Sequence, residues 1–341
     1  MTDATTDPAR FFDGKAVLVT GGTGSFGRAF VSALLSRATP RRLVVFSRDE
    51  LKQYEMAQEF EAKDTRGVVR YFIGDVRDAA RLTQALRGID VVVHAAALKH
   101  VTIAEYNPFE CIRTNVMGAE NVAQAAIAAG VQRVIALSTD KAANPANLYG
   151  ASKLASDKIF IAANHLAGLN GCRFAVVRYG NVVGSRGSVV PLFRKLIADG
   201  ADHLPITDPR MTRFWITLAQ GVEFVCSSAA MMTGGEIFVP KIPSMRIVDL
   251  ASVMAPGLPQ KVVGIRPGEK LHEAMITEDD ARSTLDLGDR YVIEPSIVMY
   301  HRGDMRAAGG VPVPDGFRYA SDSNSEWLDG PGLTRLLEQA G

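Results

Sequence analysis

The sequence has 341 residues, of which 47% are hydrophobic and 22% are charged, as in an ordinary folded globular protein. Lys and Arg total 38 against 37 Asp and Glu, so the formal net charge is +1. This balance excludes a broad basic surface for nucleic acid or an anionic membrane, and a bound anion must be held by a local site. The three cysteines fit neither a disulfide framework nor metal-ligand spacing, and we predict no metal.

The longest apolar run, residues 91–98, is far shorter than the roughly 20 residues that a membrane span requires. The first residues are acidic and polar, which is the reverse of a signal peptide. We therefore expect a soluble, cytoplasmic protein.

Up to residue 180, apolar runs alternate with amphipathic stretches, which is typical of repeated βαβ units. The runs rich in Val and Ile predict buried parallel strands at 16–20, 42–47, 69–74, 90–95, 133–139 and 173–179. Between the fourth and fifth strands, an Ala-rich helix is predicted at 116–129. The fold class is therefore α/β, with a doubly wound parallel sheet of the Rossmann type.

After residue 180 the alternation loosens, and Gly and Pro become frequent. A helix is predicted at 216–229 and one further strand near 236–240. We predict a Rossmann domain over 1–180 with this returning strand, and a smaller substrate-binding lobe over 181–235 and 241–341. The lobe should close over the carboxyl edge of the sheet, where open α/β sheets bind ligands.

A glycine-rich turn, TGGTGSFG at 20–27, follows the first predicted strand and leads into a helix. Its spaced glycines permit a tight turn and close backbone approach, and the helix start offers free N–H groups to a pyrophosphate. Such a turn can also bind nothing, but its place after the first strand of an α/β pattern predicts a dinucleotide site. The residues expected to contact the dinucleotide are Gly21, Thr23, Gly24, Ser25, Phe26 and Gly27.

The end of the second strand decides which dinucleotide is preferred. Ser47 and Arg48 offer a hydroxyl and a guanidinium that suit the additional phosphate of NADP, whereas an acidic residue would suit NAD. The same segment also fits a capping box for the next helix, and Asp49 is able to serve NAD. We predict NADP. Asp75 and Val76, after the third strand, are expected either near the adenine or as an ordinary helix cap.

Tyr149 and Lys153 are four residues apart, so they share one face of a predicted helix and the ammonium can favour the ionised phenol. Bringing a phenol pKa from ~10 to near 7 requires about 4 kcal/mol, which Lys153 and the positive nicotinamide ring are expected to supply. The phenolate would take a proton from a substrate hydroxyl as hydride leaves the same carbon. A spacing of this kind is often only an exposed helix pair, but the preceding glycine turn favours catalysis.

These features resemble the short-chain dehydrogenase/reductase superfamily in its extended, nucleotide-sugar branch. The similarity is greatest to the inverting UDP-N-acetylglucosamine 4,6-dehydratases, which make the first intermediate towards pseudaminic acid. The motifs that carry it span nearly the whole chain: ALKHV at 97–101, AEYNP at 104–108, LSTDKAANP at 137–145, RYGNV at 178–182, MTRFW at 211–215, RPGEK at 266–270 and YASDSNSEW at 319–327. Thr102 stands where Pro is expected in that family.

The resemblance implies that Lys141 is the base that removes the carbon 5 proton, and that Asp140 is the acid that protonates the carbon 6 hydroxyl. Retaining dehydratases typically carry Asp-Glu at this point, and epimerases use neither group in these roles. A lysine base must be neutral, so we expect its pKa to be lowered and the pKa of Asp140 to be raised. The expected catalytic residues are Thr139, Asp140, Lys141, Tyr149 and Lys153.

The resemblance also implies binding residues. Further cofactor contacts are expected from Lys52, Ala95 and Lys99, with Tyr149 and Lys153. The expected substrate contacts are Lys99, Asn181, Val182, Thr212, Arg213, Arg266 and Glu269. For the arginines, a surface charge or a salt bridge between lobes is the alternative. His94 and His100 have no matching ligand spacing, and we expect them to be structural.

The implied function is that of a lyase that acts through NADP and is redox neutral overall. It would convert UDP-N-acetylglucosamine into UDP-2-acetamido-2,6-dideoxy-beta-L-arabino-hex-4-ulose, for use in glycans such as those on flagellin. A homo-oligomer such as a hexamer is also implied. The alternatives are a nucleotide-sugar 4-epimerase or reductase, and a non-catalytic NADP-binding sensor. The joint presence of a Tyr-Lys pair and an Asp-Lys pair argues against the sensor.

Overall fold

The structure is a computed structural model that describes residues 7–169, 171–185, 187–300 and 302–339. Its strands are β1 Ala16–Thr20, β2 Arg42–Ser47, β3 Val69–Ile73, β4 Val91–His94, β5 Arg133–Thr139, β6 Arg173–Tyr179, β7 Asn181–Val182, β8 Leu204–Ile206, β9 Thr212–Ile216, β10 Ile237–Pro240, β11 Ser244–Arg246, β12 Gln260–Val262, β13 Ala274–Ile276, β14 Thr284–Asp286, β15 Arg290–Ile293, β16 Val311–Pro312 and β17 Tyr319–Ala320. Its α-helices are α1 Ser25–Arg37, α2 Glu50–Phe60, α3 Ala79–Ala85, α4 Val101–Tyr106, α5 Pro108–Ile112, α6 Gly118–Ala128, α7 Leu148–Ala167, α8 Val189–Ala198, α9 Leu218–Met231, α10 Ile247–Met254, α11 Glu278–Ala281 and α12 Gly330–Gln339.

Within the described residues, one sheet has the strand order β16-β14-β15-β10-β6-β5-β4-β1-β2-β3. The strands from β10 to β3 pair in parallel, and β15, β14 and β16 extend the sheet in antiparallel orientation. The central strands are apolar and buried, because helices cover them. The predicted doubly wound α/β fold is therefore confirmed.

Buried apolar side chains form two separate cores. The larger surrounds the main sheet and includes residues of α9, β14 and β15. The smaller core lies among α8, α10, α12 and strands β8, β9 and β11, and contains Phe193, Trp215 and Leu250. The predicted division at 180 and 240 assigned α9, β14 and β15 to the lobe, whereas their side chains pack in the larger core. That division stays a prediction.

Two predicted helix boundaries differ from the structure. The helix predicted at 116–129 begins earlier as a π-helical segment, Arg113–Met117, which continues into α6. The helix predicted from residue 216 begins at Leu218, because Thr217 and Gln220 form a reciprocal capping box that fixes its start. None of the helices in the described ranges is long and apolar enough to cross a membrane.

Helix α7 carries the predicted Tyr-Lys pair and is fixed near both ends. At its start the Asn147 side chain accepts a hydrogen bond from the Gly150 N–H at 2.8 Å. Near its end the buried Asn164 donates to the Phe174 carbonyl and accepts from the Phe174 N–H, both at 3.0 Å. The first bond caps the start of α7, and the two Asn164 bonds tie the end of α7 to β6.

The buried Asn164 amide gives a stability prediction. Asn164→Ala should lower the free energy of unfolding by about 1 to 3 kcal/mol, because the buried Phe174 N–H loses its partner, while the Phe174 carbonyl keeps the Gly235 N–H. Gln124→Ala, an exposed amide on α6, is the matched control and should change it by less than about 0.5 kcal/mol. Urea denaturation measures both, and equal effects would show that Asn164 does not tie α7 to the sheet.

Candidate active site

The carboxyl ends of the parallel strands meet at one edge of the sheet, and a groove of about 660 Å³ lies there. It is lined by every residue that the sequence predicts as a cofactor contact. These are Gly21, Thr23, Gly24, Ser25, Phe26, Gly27, Ser47, Arg48, Lys52, Asp75, Val76, Ala95, Lys99, Tyr149 and Lys153. The fold therefore brings these residues together in one groove.

The glycine turn between β1 and α1 has the shape of a phosphate cradle. Gly21 has a φ of +64°, and a Cβ there would lie 2.9 Å from the backbone of Ala95 and Ala96. A Cβ on Gly27 would collide with the Gly22 backbone. Helix α1 begins after Gly24 without a side-chain cap. Its first N–H groups therefore stay available to an anion in the groove.

The end of β2 separates the two interpretations of the Ser47 segment. Asp49, not Ser47, caps α2 by accepting from the Lys52 N–H at 3.0 Å. The Ser47 hydroxyl instead accepts a hydrogen bond from Thr23 at 3.0 Å. The Arg48 side chain is 54% exposed at the groove wall, with Nη1 3.6 Å from a carboxylate oxygen of Asp75.

Asp75 is not the cap of the following helix, since Asp78 caps α3. Its carboxylate accepts from the Arg77 backbone N–H at 2.9 Å and from the Arg77 guanidinium at 2.7 Å. Burial alone would raise the pKa of Asp75, but the hydrogen bonds from Arg77 outweigh it and the pKa is lowered. The Asp75 carboxylate is therefore ionised, and Arg77 holds it in the wall of the groove.

His94 lies at the end of β4, and its Nδ1 is 2.8 Å from the Thr20 hydroxyl. Burial, assisted by the nearby positive charge of Lys153, lowers the pKa of His94 to about 3. The imidazole is therefore neutral at physiological pH, which fits a structural role. His100 is exposed at the groove.

Lys141 is the centre of a buried charge cluster. Its Nζ lies 3.0 Å from Asp140 Oδ1 and 3.3 Å from Glu273 Oε1. Burial alone would lower the pKa of Lys141, but the negative charges of Asp140 and Glu273 outweigh it and the pKa is raised. The predicted lowering is therefore wrong for this arrangement, because a second carboxylate reaches the ammonium from a distant part of the chain.

Asp140 is 1% exposed and does not line the groove. Its Oδ1 accepts hydrogen bonds from the Thr139 hydroxyl at 2.9 Å and from Lys141, and both of these residues do line the groove. Its Oδ2 has no hydrogen-bond partner among the described residues. The predicted acid thus stands one side chain behind the groove wall.

The Tyr149 phenol also departs from the sequence-based expectation. Removal from water raises the pKa of Tyr149 to about 12, although the charge of Lys141 and a hydrogen bond with Thr139 oppose this. Lys153 is buried, which lowers its own pKa, and Asp157 on the next turn partly offsets the effect. The expected lowering by Lys153 is therefore not found. The positive nicotinamide ring remains the expected source of a lower phenol pKa.

The predicted substrate residues fall into two groups. Lys99, Asn181 and Val182 line the groove. Arg213 is buried, and its guanidinium donates to the carbonyls of Thr212 at 2.7 Å and Lys270 at 3.0 Å. Neither Thr212 nor Arg213 lines the groove. Both instead bond to the segment that leads to β13, Thr212 to His272 and Arg213 to Lys270.

Arg266 and Glu269 likewise do not line the groove. They lie in the loop before β13, where the Arg266 N–H donates to the Glu269 carboxylate at 3.3 Å. Asn147, the cap of α7, donates to the Gly268 carbonyl of the same loop at 2.8 Å. This bond holds the loop against the start of the helix that carries Tyr149.

Three functional candidates were missing from the sequence-based set. Asn115 donates to the Leu98 carbonyl and to the Ser152 hydroxyl, both at 2.9 Å, and so joins the groove wall to α7. Asp157 accepts from Ser138 at 2.7 Å beneath Lys153. Its position four residues after Lys153 was a usable signal, since residues four apart share a helix face. Glu273 carried no such local signal.

Comparisons with known proteins show the family. Residues 17–295 match the polysaccharide biosynthesis protein family. A UDP-N-acetylglucosamine 4,6-dehydratase (inverting) from Campylobacter jejuni is 56% identical over 331 residues, which cover 96% of this chain and 98% of the relative. A UDP-glucose 4-epimerase from Rickettsia canadensis is 41% identical over 289 residues, 83% of each chain.

Solved structures extend the comparison. Pen from Bacillus thuringiensis is 36% identical with a TM-score of 0.86, and the match covers 97% of this chain and 98% of Pen. DesIV, a dTDP-glucose 4,6-dehydratase from Streptomyces venezuelae solved with NAD and TYD bound, is 27% identical with a TM-score of 0.67. That match covers 75% of this chain and 86% of DesIV.

The neutral His94 gives a pH prediction. The unfolded chain binds a proton at this imidazole below its ordinary pKa of 6.5, while the folded chain does so only near 3. The stability that this site contributes above pH 6.5 is therefore lost as the pH falls. Wild type should lose about 2 kcal/mol more than His94→Asn between about pH 7 and pH 5. Denaturant unfolding at both pH values measures this, and an equal loss would mean that His94 titrates normally in the fold.

Proposed function

The chain belongs to the polysaccharide biosynthesis protein family and, within it, to the inverting UDP-N-acetylglucosamine 4,6-dehydratases, and we propose that it removes one water from UDP-N-acetylglucosamine. The product would be UDP-2-acetamido-2,6-dideoxy-beta-L-arabino-hex-4-ulose. One observation carries the proposal: the hydrogen-bonded Asp140–Lys141 pair at the end of β5, beside a dinucleotide groove. Water elimination needs both an acid and a base, and this pair supplies them.

We propose NADP as the cofactor. The glycine cradle, with no room for side chains at Gly21 and Gly27, fits a pyrophosphate. The carboxylate of Asp49 caps α2 and pairs with Lys52, so it already has partners other than a ribose hydroxyl. Ser47 and the exposed Arg48 are the groups at that position, and they suit a ribose phosphate. When bound, NADP would supply the hydride acceptor for carbon 4 and, in reduced form, the hydride donor for carbon 6, with a proton from solvent added at carbon 5.

Tyr149 is the group proposed to remove the proton of the carbon 4 hydroxyl. It lines the groove on the first turn of α7, together with Thr139 and Lys141 from the end of β5. Oxidation makes carbon 4 a ketone, and the proton on carbon 5 then becomes acidic. The next step therefore needs a base at carbon 5 and an acid at the carbon 6 hydroxyl.

One proton is enough for both roles of the Asp140–Lys141 pair. Transfer of a proton from Lys141 Nζ to Asp140 Oδ1, across 3.0 Å, turns the ion pair into a neutral amine and a carboxylic acid. The amine then takes the carbon 5 proton. The acid gives its proton to the Thr139 hydroxyl, which lies 2.9 Å from Oδ1 and lines the groove. Thr139 in turn passes its own proton to the carbon 6 hydroxyl, and water leaves. The pair ends as the ion pair with which it began.

The function is tested by incubating the purified protein with a panel of UDP- and dTDP-sugars. Mass spectrometry should show loss of one water from UDP-N-acetylglucosamine without net change of NADP. A product of unchanged mass but altered sugar configuration would instead make the protein an epimerase. No change with any sugar in the panel, from a protein that binds the dinucleotide, would support the sensor.

Cofactor choice gives a prediction at Arg48. Arg48→Ala should weaken NADP by about 1.5 to 3 kcal/mol, the range of a charge-assisted contact, and leave NAD nearly unchanged. Arg113→Ala is the matched control, because Arg113 is an exposed arginine that does not line the groove, and it should leave both affinities unchanged. Isothermal titration calorimetry with both dinucleotides measures the preference. Equal losses for NADP and NAD in Arg48→Ala would remove Arg48 from cofactor selection.

The two catalytic pairs should fail at different steps. Tyr149→Phe should bind NADP and substrate but form no reduced cofactor, because oxidation at carbon 4 lacks its base. Lys141→Met should form reduced cofactor once and then stop, because the keto sugar cannot lose its carbon 5 proton. Stopped-flow absorbance of the reduced nicotinamide distinguishes them. Water loss by Lys141→Met would overturn the assignment of the base.

A further inference from the structure

Glu273 is a buried carboxylate that no local motif accounts for. It lies directly before β13, is 2% exposed, and reaches Lys141 from outside the Rossmann strands. Its backbone is fixed by Ser321, whose hydroxyl accepts from the Glu273 N–H at 2.9 Å and whose N–H donates to the Glu273 carbonyl at 2.7 Å. The same hydroxyl lies 2.7 Å from that of Thr212. The backbone of Glu273 is therefore held at both its N–H and its carbonyl.

A buried carboxylate is costly unless charges or hydrogen bonds compensate it. Here two ammonium groups do so, Lys141 at 3.3 Å and Lys270 at 3.6 Å, while Oε2 makes no hydrogen bond among the described residues. Lys270 is itself anchored to the Ala143 carbonyl at 2.8 Å, in the loop after Lys141. The carboxylate thus lies between the base and a second, fixed cation.

We propose that Glu273 is a positioning residue for the acid–base pair, which holds the Lys141 ammonium on the groove wall and keeps the shared proton on it until substrate arrives. The proposal rests on the proposed dehydratase function. Without Glu273, the amine would have one anionic neighbour instead of two, and it would lose its proton more readily. Glu273 does not line the groove, so it acts through Lys141 and not on the sugar.

Three charged residues act on the Lys141 ammonium. Asp140 and Glu273 favour the ammonium, whereas Arg213 of β9 opposes it. On α7, the positive charge of Lys141 acts to lower the pKa of the Tyr149 phenol. Removal of Glu273's charge should therefore move the titration of the pair to lower pH. Removal of Lys270, which faces Glu273, should leave that charge less compensated and move the titration the other way.

The test is the pH profile of dehydration in the purified enzyme, with UDP-N-acetylglucosamine and NADP. Glu273→Gln keeps the shape of the side chain and removes its charge, and the profile should move to lower pH by about one unit or more. Lys270→Met should move it to higher pH. The two limbs belong to the coupled pair, so both should move together.

Two further variants serve as controls. Glu273→Asp retains the charge and should keep the wild-type position of the profile even if turnover falls. Glu278→Gln makes the same chemical change on an exposed residue of α11 and should leave the profile unmoved. Thermal melting checks that each variant is folded. If folded Glu273→Gln only loses turnover, with the profile unmoved, Glu273 is a structural brace and the proposal is wrong.

A second measurement does not depend on turnover. Acetic anhydride acylates an amine only when it is unprotonated, and the Lys141 side chain is 22% exposed on the groove wall. Peptide mass spectrometry should show acylation of Lys141 beginning at lower pH in Glu273→Gln than in wild type. Unchanged labelling would overturn the proposal. A shifted labelling profile in a protein that dehydrates no sugar would instead leave Glu273's role intact and refute the dehydratase function.

Discussion

One ammonium between two buried carboxylates is the interaction on which the active site depends. Lys141 lies within 3.3 Å of both Asp140 and Glu273. Asp140 comes from the end of β5, and Glu273 comes from the segment that Thr212 and Ser321 brace. The ion pairs therefore join the Rossmann sheet to the residues that cover it. They also favour the protonated amine, since burial alone would lower the pKa of Lys141.

Features that depend on neighbours in the chain could be predicted from the sequence. The glycine turn, the six strands and the Tyr-Lys helix are local features, because the hydrophobic periodicity and the spacing of glycines within a short segment determine them. Glu273 could not be predicted, since no spacing relates it to Lys141. Arg213 could not be placed from the sequence either. Its motif suggested a substrate contact, but in the fold its guanidinium donates to backbone carbonyls. The raised pKa of Lys141 depends partly on the long-range contact with Glu273, whereas the raised pKa of Tyr149 follows from its burial.

The relatives include both dehydratases and epimerases, so chemistry must separate them. An epimerase moves a hydride away from carbon 4 and back, which requires Tyr149 and the dinucleotide alone. It has no leaving hydroxyl to protonate and no carbon 5 proton to remove. In such an enzyme, a buried Asp140–Lys141 pair would lower stability, because desolvating two charges is unfavourable, and it would perform no catalytic step. The pair therefore favours elimination, in agreement with the more similar relative.

The central claim is that Lys141 and Asp140 act as an acid–base pair whose product is inverted at carbon 5. Its most direct test is turnover of UDP-N-acetylglucosamine in deuterium oxide, with rapid trapping of the product and assignment by proton NMR. Because a lysine amine exchanges its protons with water, the account predicts one deuterium at carbon 5 and couplings of the L-arabino configuration. A product of D-xylo configuration, or one without deuterium at carbon 5, would contradict it.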